Sequence, residues 1–274
     1  MTRKKRFRLA FYLSAFALLV FGADTRLNVV YYKIQSGKIY APVRIVLVAD
    51  LHSCHYGEGQ KTLVDAIDRE KPDLILYAGD ILDDVLPDGN AIALLEALQG
   101  KYPAYYVTGN HEFWSDDVSG KIAVMRQHGV KVLQGEFDTI SVNGQTLNIC
   151  GVDDPDVDVY TTPLRSFREQ LSSLRSAADN GAYTILLAHR PELIAEYAAY
   201  PFDLVLSGHS HGGQWRIPKL LNGVYSPNQG FFPKYPGGKY AHENMTLLVS
   251  RGLAKESTRI PRLYNRPELV VVDL

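Results

Sequence analysis

Residues 44–52 read RIVLVADLH, a continuous apolar and β-branched run that stops on Asp50 and His52. A short apolar run without polar alternation marks a strand buried on both faces. The ending matters as much as the run, because it delivers a carboxylate and an imidazole two positions apart. The same design recurs along the chain. LILYAG (74–79) ends in Asp80, AYYVTG (104–109) in Asn110-His111-Glu112, TILLA (184–188) in His189, and LVLSG (204–208) in His209-Ser210-His211. In open α/β sheets the C-terminal strand edge is where ligands bind. Gly79, Gly109 and Gly208 precede three of these residues, where a missing Cβ permits a sharp turn.

Between the runs the periodicity changes to that of helices. Helical stretches are predicted over 60–69, 91–98, 118–128 and 166–177, and further strands over 27–34, 245–250 and 268–272. Asn143-Gly144, between 139–142 and 146–150, is a strong hairpin signal. Parallel crossovers and hairpins in one chain predict an α/β layered sandwich.

A single Asp or Asn after a strand is commonly a turn former or a helix cap. That explanation suits any one of the five strand endings and fails for all of them together, with His-x-His and Asp-x-His pairs among them. Only imidazole, carboxylate and amide donors are offered, with no thiolate. Such donors suit Zn, Mn or Fe(II), and a shared carboxylate suits two ions at once. The cluster therefore predicts a dinuclear metal site.

Residues 208–212 (GHSHG) also satisfy the G-x-S-x-G pattern of a serine nucleophile. That chemistry needs a helix next, then an acid and a histidine. Gly213 and Pro218 oppose the helix, and no Asp or Glu occurs between Gly212 and Ala241, ahead of the last histidine, His242. Ser210 is read as a small spacer between ligands. Gly57 to Thr62 imitates a phosphate-binding loop, but Gln60 stands where lysine is required.

The composition is that of an ordinary globular chain of 274 residues, with 46% hydrophobic and 22% charged residues. A formal net charge of -1 speaks against a specific nucleic-acid binder. Cys54 and Cys150 are too few for a disulfide framework or a cysteine zinc cage and are expected to be free. Arg3, Lys4, Lys5, Arg6 and Arg8 precede the apolar run 9–22, LAFYLSAFALLVFG. A basic start and a short apolar run suit a membrane anchor or a signal, and poor small-residue spacing favours the uncleaved anchor. Residues 1–23 are read as that segment and 24–274 as the catalytic domain. A spanning segment would place the domain outside the cytoplasm by the positive-inside rule; one lying in the interface would leave it on the cytoplasmic face.

Asp50-x-His52, Gly79-Asp80-x-x-Asp83, Gly109-Asn110-His111-Glu112, His189 and Gly208-His209-x-His211 together resemble the calcineurin-like metallophosphoesterase signature. The likeness runs from about Pro42 to the C-terminus. GHSHGGQ and the ending VSRGL…IPRLYNRPELVVVDL look like the membrane-associated bacterial branch, similar to UDP-2,3-diacylglucosamine pyrophosphatase-like proteins. The resemblance implies an α-β-β-α sandwich of two mixed sheets with two divalent ions at the C-terminal strand ends. Asp50, His52 and His211 would hold one ion, Asn110, His189 and His209 the other, and Asp80 would bridge them. His111 would contact phosphoryl oxygens or protonate the leaving group, oriented by Asp83 or by Asp84 beside it. Glu112 is read as structural.

The implied activity is hydrolysis of a phosphodiester, pyrophosphate or phosphomonoester by metal-activated water, with a lipid-linked substrate suggested by the anchor. The alternative is a metal-bearing scaffold without catalysis, disfavoured because His111 is present. Arg190 and His55, near ligands in sequence, are candidate phosphate contacts. The acid-free segment 212–241 carries Arg216, Lys219, Lys234 and Lys239 among aromatics. Its composition suits an anionic substrate with an apolar portion, although inward packing is the plainer expectation for most of those aromatics.

Overall fold

The computed structural model describes residues 4, 5, 7, 12, 13, 20–255 and 260–274. Most of the proposed anchor over 1–23 lies outside them, and among the described residues no helix is long and apolar enough to cross a membrane. The apolar runs form two six-stranded mixed sheets.

The first sheet contains β1 (Asn28–Lys33), β2 (Arg44–Val48), β3 (Leu74–Ala78), β4 (Ala104–Val107), β5 (Lys131–Val132) and β14 (Glu268–Asp273), in the order β1-β14-β2-β3-β4-β5. Strands β2 to β5 run parallel, and β14 enters antiparallel to β2. The register pairs Ile45 with Leu74 and Ile75 with Ala104, so the C-terminal ends of β2, β3 and β4 reach one edge together.

The second sheet contains β6 (Glu136–Val142), β7 (Gln145–Gly151), β8 (Tyr183–Leu187), β9 (Leu204–Ser207), β12 (Gly238–His242) and β13 (Met245–Val249), in the order β12-β13-β9-β8-β7-β6. Its four central strands are parallel and its two edges are hairpins. Asn143 and Gly144 both take left-handed φ (52° and 84°), as a two-residue hairpin turn requires. A short hairpin, β10 (Tyr225–Ser226) and β11 (Gly230–Phe231), follows the last ligand block.

Alternation along each buried strand divides its side chains between two cores. Ile45 and Leu47 of β2 point between the sheets, with Leu74, Leu76, Leu147, Ile149, Leu187, Leu204, Leu206 and Leu248. Val46 and Val48 point the other way, onto Leu63 and Ile67 of α1 (Lys61–Glu70), Leu94 of α2 (Gly89–Leu98) and Met125 of α4 (Val118–Gln127). Across the second sheet, Leu186, Val205 and Leu247 meet Phe167 and Leu171 of α6 (Phe167–Ser173) and Tyr197 of α7 (Ile194–Tyr197). This is the expected α-β-β-α sandwich.

Several further elements have no counterpart in the pattern above, among them β12, the short β5, β10 and β11, helix α7, and helix α3 (Asn110–Trp114). Strand β12 is a partly exposed edge, and α3 has five residues, too few for a helical period to register. A further helix, α5 (Val157–Tyr160), is shorter still. Neither cysteine is in a disulfide, and both are buried.

Candidate metal centre

The first sheet brings Asp50, His52, Asp80 and Asn110 to its C-terminal edge, and the second brings His189, His209 and His211. Ligand atoms of Asp50, His52, Asp80 and His211 all lie within 4.8 Å of one another, and those of Asp80, His189 and His209 form a second such group. Asp80 belongs to both. His211 Nε2 is 3.3 Å from Asp50 Oδ1, and His189 Nε2 is 3.1 Å from Asp80 Oδ2.

The backbone is shaped to hold this arrangement. Asp50, His52, Asp80, His209 and His211 all have φ between 45° and 66°. Left-handed non-glycine residues cost roughly 1–3 kcal/mol each and cluster at functional sites. Two amides tie turns together through ligand carboxylates: His209 N donates to Asp50 Oδ1 (2.7 Å) and His111 N to Asp80 Oδ1 (2.9 Å). Gly109 allows the close approach, since a Cβ there would fall 2.2 Å from Asp80 Oδ1.

Several buried nitrogen and oxygen atoms of these side chains converge on one another. His189 Nδ1 is 2.7 Å from the Ala78 carbonyl, which only accepts, so Nδ1 carries a proton and Nε2 is the ring atom turned toward Asp80. His52 Nδ1 is likewise held by Asp83 Oδ1 at 2.8 Å, leaving its Nε2 lone pair 3.1 Å from His211 Nε2. Asp50 Oδ2, Asn110 Oδ1 and His189 Nε2 are buried without any hydrogen-bond partner. Unpaired buried acceptors are expensive, and bound cations would satisfy all of them.

The charge balance points the same way. Burial opposes a charge on His189, yet Asp80 and Asp50 overcome it and raise its pKa to about 10; the pocket attracts positive charge. Burial and the neighbouring His189 lower His209 to about 4, and burial lowers His211 to about 4 despite Asp50, so both rings are neutral donors. Despite its burial, Asp80 stays ionised because His189 and His111 lie nearby. A nitrogen and oxygen donor set with one shared carboxylate fits divalent Mn, Zn or Fe.

Around this cradle the contacts sharpen several expectations. His111, at the mouth of the site, is 2.6 Å from Asp84 Oδ1 and 3.4 Å from Asp83 Oδ1, both through Nδ1. Asp83 is the buried partner of His52, and its other oxygen accepts from the amides of Val85 and Leu86. The closer partner of His111 is thus Asp84, since Asp83 is turned inward by those two amides. Glu112 accepts from the amides of Asp80, Ile81, Leu82 and Gly109, stitching the β3 and β4 turns together.

Arg190 differs from the expectation. Its guanidinium is buried against Asp154 (2.8 and 2.7 Å) and Asp156 (2.8 Å), committed to carboxylates instead of offered to phosphate. His55 is exposed and belongs to none of the ligand groups. Ser210 accepts from Gln229 Nε2 at 2.9 Å, which suits a spacer.

Sequence reasoning passed over Asn228 and Asn265. Asn228 Oδ1 lies 2.9 Å from His209 Nε2, and Asn265 Nδ2 donates to the His211 carbonyl at 2.7 Å. Neither sits in a motif; the acid-free segment and the NRPELVVVDL ending were the only signals that could have found them. That segment also departs from inward packing. Tyr235 is buried, but Trp215, Tyr225, Phe231 and Phe232 are exposed.

The comparisons agree with this geometry. A family profile described as calcineurin-like phosphoesterase matches residues 43–213. An uncharacterised metallophosphoesterase of Bacillus subtilis, YkuE, is 30% identical over 84% of this chain and 78% of its own length. A cattle protein named as a transmembrane protein with a metallophosphoesterase domain is 33% identical over 85% of this chain and 53% of its own. Among solved structures, Haemophilus influenzae NAD nucleotidase superposes with a TM-score of 0.56 at 19% identity, over 78% of this chain and 46% of that one. The chain thus spans about half the length of those last two proteins. By profile, relatives and fold, the chain belongs to the calcineurin-like phosphoesterase family of metal-dependent phosphoester hydrolases.

Proposed function

We propose that the protein is a dinuclear phosphoesterase in which Asp50, His52 and His211 hold one divalent cation, Asn110, His189 and His209 hold a second, and Asp80 serves both. The observation that carries this reading is the sharing of Asp80 between two ligand groups that leave buried lone pairs facing inward. Bound there, the cations supply Lewis acidity toward phosphoryl oxygens and activate water near neutral pH. His111 provides the proton for the leaving oxygen. Burial works against its charge, but Asp80, Asp83 and Asp84 outweigh it and raise its pKa to about 10. Asp84 fixes one ring nitrogen and leaves the other for the substrate.

The ester is a phosphodiester, pyrophosphate or phosphomonoester with an apolar, lipid-linked portion. The basic and apolar segment 1–23 supports this, as does a relative named as a transmembrane protein. A spanning segment would set the domain outside the cytoplasm.

The test is metal per chain together with hydrolysis of p-nitrophenyl phosphate and bis(p-nitrophenyl) phosphate under Mn, Zn and Fe(II). Asp80→Ala loses metal and turnover together. His111→Ala keeps its metal and loses on the order of 10²–10⁴-fold in turnover. Full metal loading without hydrolysis of any ester would favour a scaffold, and loss of activity in Ser210→Ala at normal metal content would overturn the assignment.

A further inference from the structure

The chain following the last ligand block turns large apolar side chains outward. Leu220 is 85% exposed, Phe231 73% and Phe232 68%, with Trp215, Ile217 and Ile260 exposed beside them. Backbone pairing ties parts of this segment and the 261–263 stretch together. Trp215 bridges Leu263 and its indole donates to the Pro261 carbonyl, Val224 N donates to Trp215 O, and Phe232 N donates to Val224 O. Several large apolar side chains exposed on one cross-linked segment mark an interaction site. The same segment touches the metal centre on its inner side, through Asn228 at His209 and Gln229 at Ser210.

Two observations identify the occupant. The first is continuity: Tyr264 N, next to Leu263, donates to the Gly22 carbonyl at 2.6 Å. Gly22 ends the apolar run that follows five cations, and Phe21 before it is 77% exposed. The second is charge, since 212–241 carries no carboxylate and exposes Lys219 and Lys234, while Arg216 is partly buried and Lys239 Nζ is tied to the Lys33 carbonyl. A second copy docking through this face would oppose cation to cation, whereas anionic headgroups would neutralise them. Exposed aromatic and aliphatic tips among lysines are the composition of a surface that lies in a lipid interface.

We propose that this face seats on an anionic lipid bilayer, with Leu220, Phe231 and Phe232 entering the headgroup–acyl boundary. Docked so, the metal centre stands at the level of lipid phosphates. That consequence rests on the phosphoesterase reading; the docking itself does not.

The test uses the full chain carrying an environment-sensitive fluorophore at Leu220→Cys, with Tyr40→Cys as the control. Cys54 and Cys150 are buried, so labelling is selective. Tyr40 is exposed and precedes β2, at the sheet edge opposite the site. On vesicles of phosphatidylglycerol and phosphatidylethanolamine, the label at 220 shifts to the blue and is shielded from aqueous iodide, while the label at 40 is not. The pair Phe231→Ser and Phe232→Ser diminishes that shift and leaves bis(p-nitrophenyl) phosphate hydrolysis in detergent unchanged.

A label at 220 as iodide-accessible as that at 40, on chains that float with the vesicles, assigns binding to 1–23 alone and overturns the proposal. A shift present without lipid assigns the face to a second copy and also overturns it. An equal shift on phosphatidylcholine means that anionic headgroups are not what the face recognises, and overturns the proposal. Failure of ester hydrolysis in every form would sink the phosphoesterase reading and leave the docking result standing.

Discussion

Asp83 and Asp84 are adjacent in sequence and hold different imidazoles. Asp83 fixes His52, a proposed ligand, and Asp84 lies closest to His111, the proposed proton donor. Their asparagine variants should therefore fail differently. Asp83→Asn should weaken metal binding by about 10–100-fold, the usual cost of losing a carboxylate behind a ligating histidine. Asp84→Asn should keep its metal and lower turnover at saturating metal. Metal titrations alongside bis(p-nitrophenyl) phosphate kinetics separate the two, and metal loss in Asp84→Asn would contradict the division. Sequence spacing left these two open because both lie within reach of the same turn; only the amides of Val85 and Leu86 decide which carboxylate faces inward. Glu112 makes the complementary point. Its structural role was legible, since Asn110 and His111 already fill the chemistry of that turn, but its four amide donors were not. In Glu112→Gln an amide group would replace one oxygen and confront two N–H donors, costing about 1–3 kcal/mol per unsatisfied group. A lowered urea midpoint at unchanged m-value is the expected readout, and an unchanged midpoint would refute it.

At the scale of elements, the runs buried on both faces were the most legible, because β2, β3, β8 and β9 are almost wholly apolar and buried, with Arg44, Thr184 and Ser207 the exceptions at or near their ends. The strand ends were legible because each apolar run gives way within three residues to a possible metal ligand. Strand β12 is partly exposed and α3 is a single short turn, so neither leaves a periodic trace. Arg190 shows the limit of adjacency: it follows His189 in sequence, yet the turn after β8 sends it to Asp154 and Asp156. Gly252 shows what long-range packing hides. Its φ is +71°, and an added Cβ would lie 2.6 Å from both Cβ and Oδ2 of Asp50. Its carbonyl also receives the amide of Glu268 at 3.0 Å, anchoring the start of β14. Gly252→Ala should therefore cost roughly 1–3 kcal/mol from the backbone alone. It should also displace Asp50, so reduced metal occupancy should accompany the lower melting temperature. A variant equally stable and fully loaded would show that the turn has room the geometry denies.

The whole molecule places its proposed ligands on both sheets: Asp50, His52, Asp80 and Asn110 on one, His189, His209 and His211 on the other. Hydrophobic packing between the sheets joins them along their length. At the C-terminal edge that packing gives way to charge, strained turns and buried lone pairs without partners. A cation bound by residues of both sheets would relieve that end and clamp the layers together. Because these ligands come together only in the fold, binding should stabilise the native state by mass action. The gain is about 2.7 kcal/mol at a free metal concentration 100 times the dissociation constant. With roughly 2–4 °C per kcal/mol for chains approaching this size, Mn, Zn or Fe(II) should raise the melting temperature by about 5–10 °C over the chelated protein. Asp80→Ala should lose most of that increment, because its carboxylate serves both ligand groups, while His111→Ala should retain it. Identical melting of chelated and metal-saturated protein would mean that the cradle binds no cation, and the two-sheet clamp would have to be abandoned.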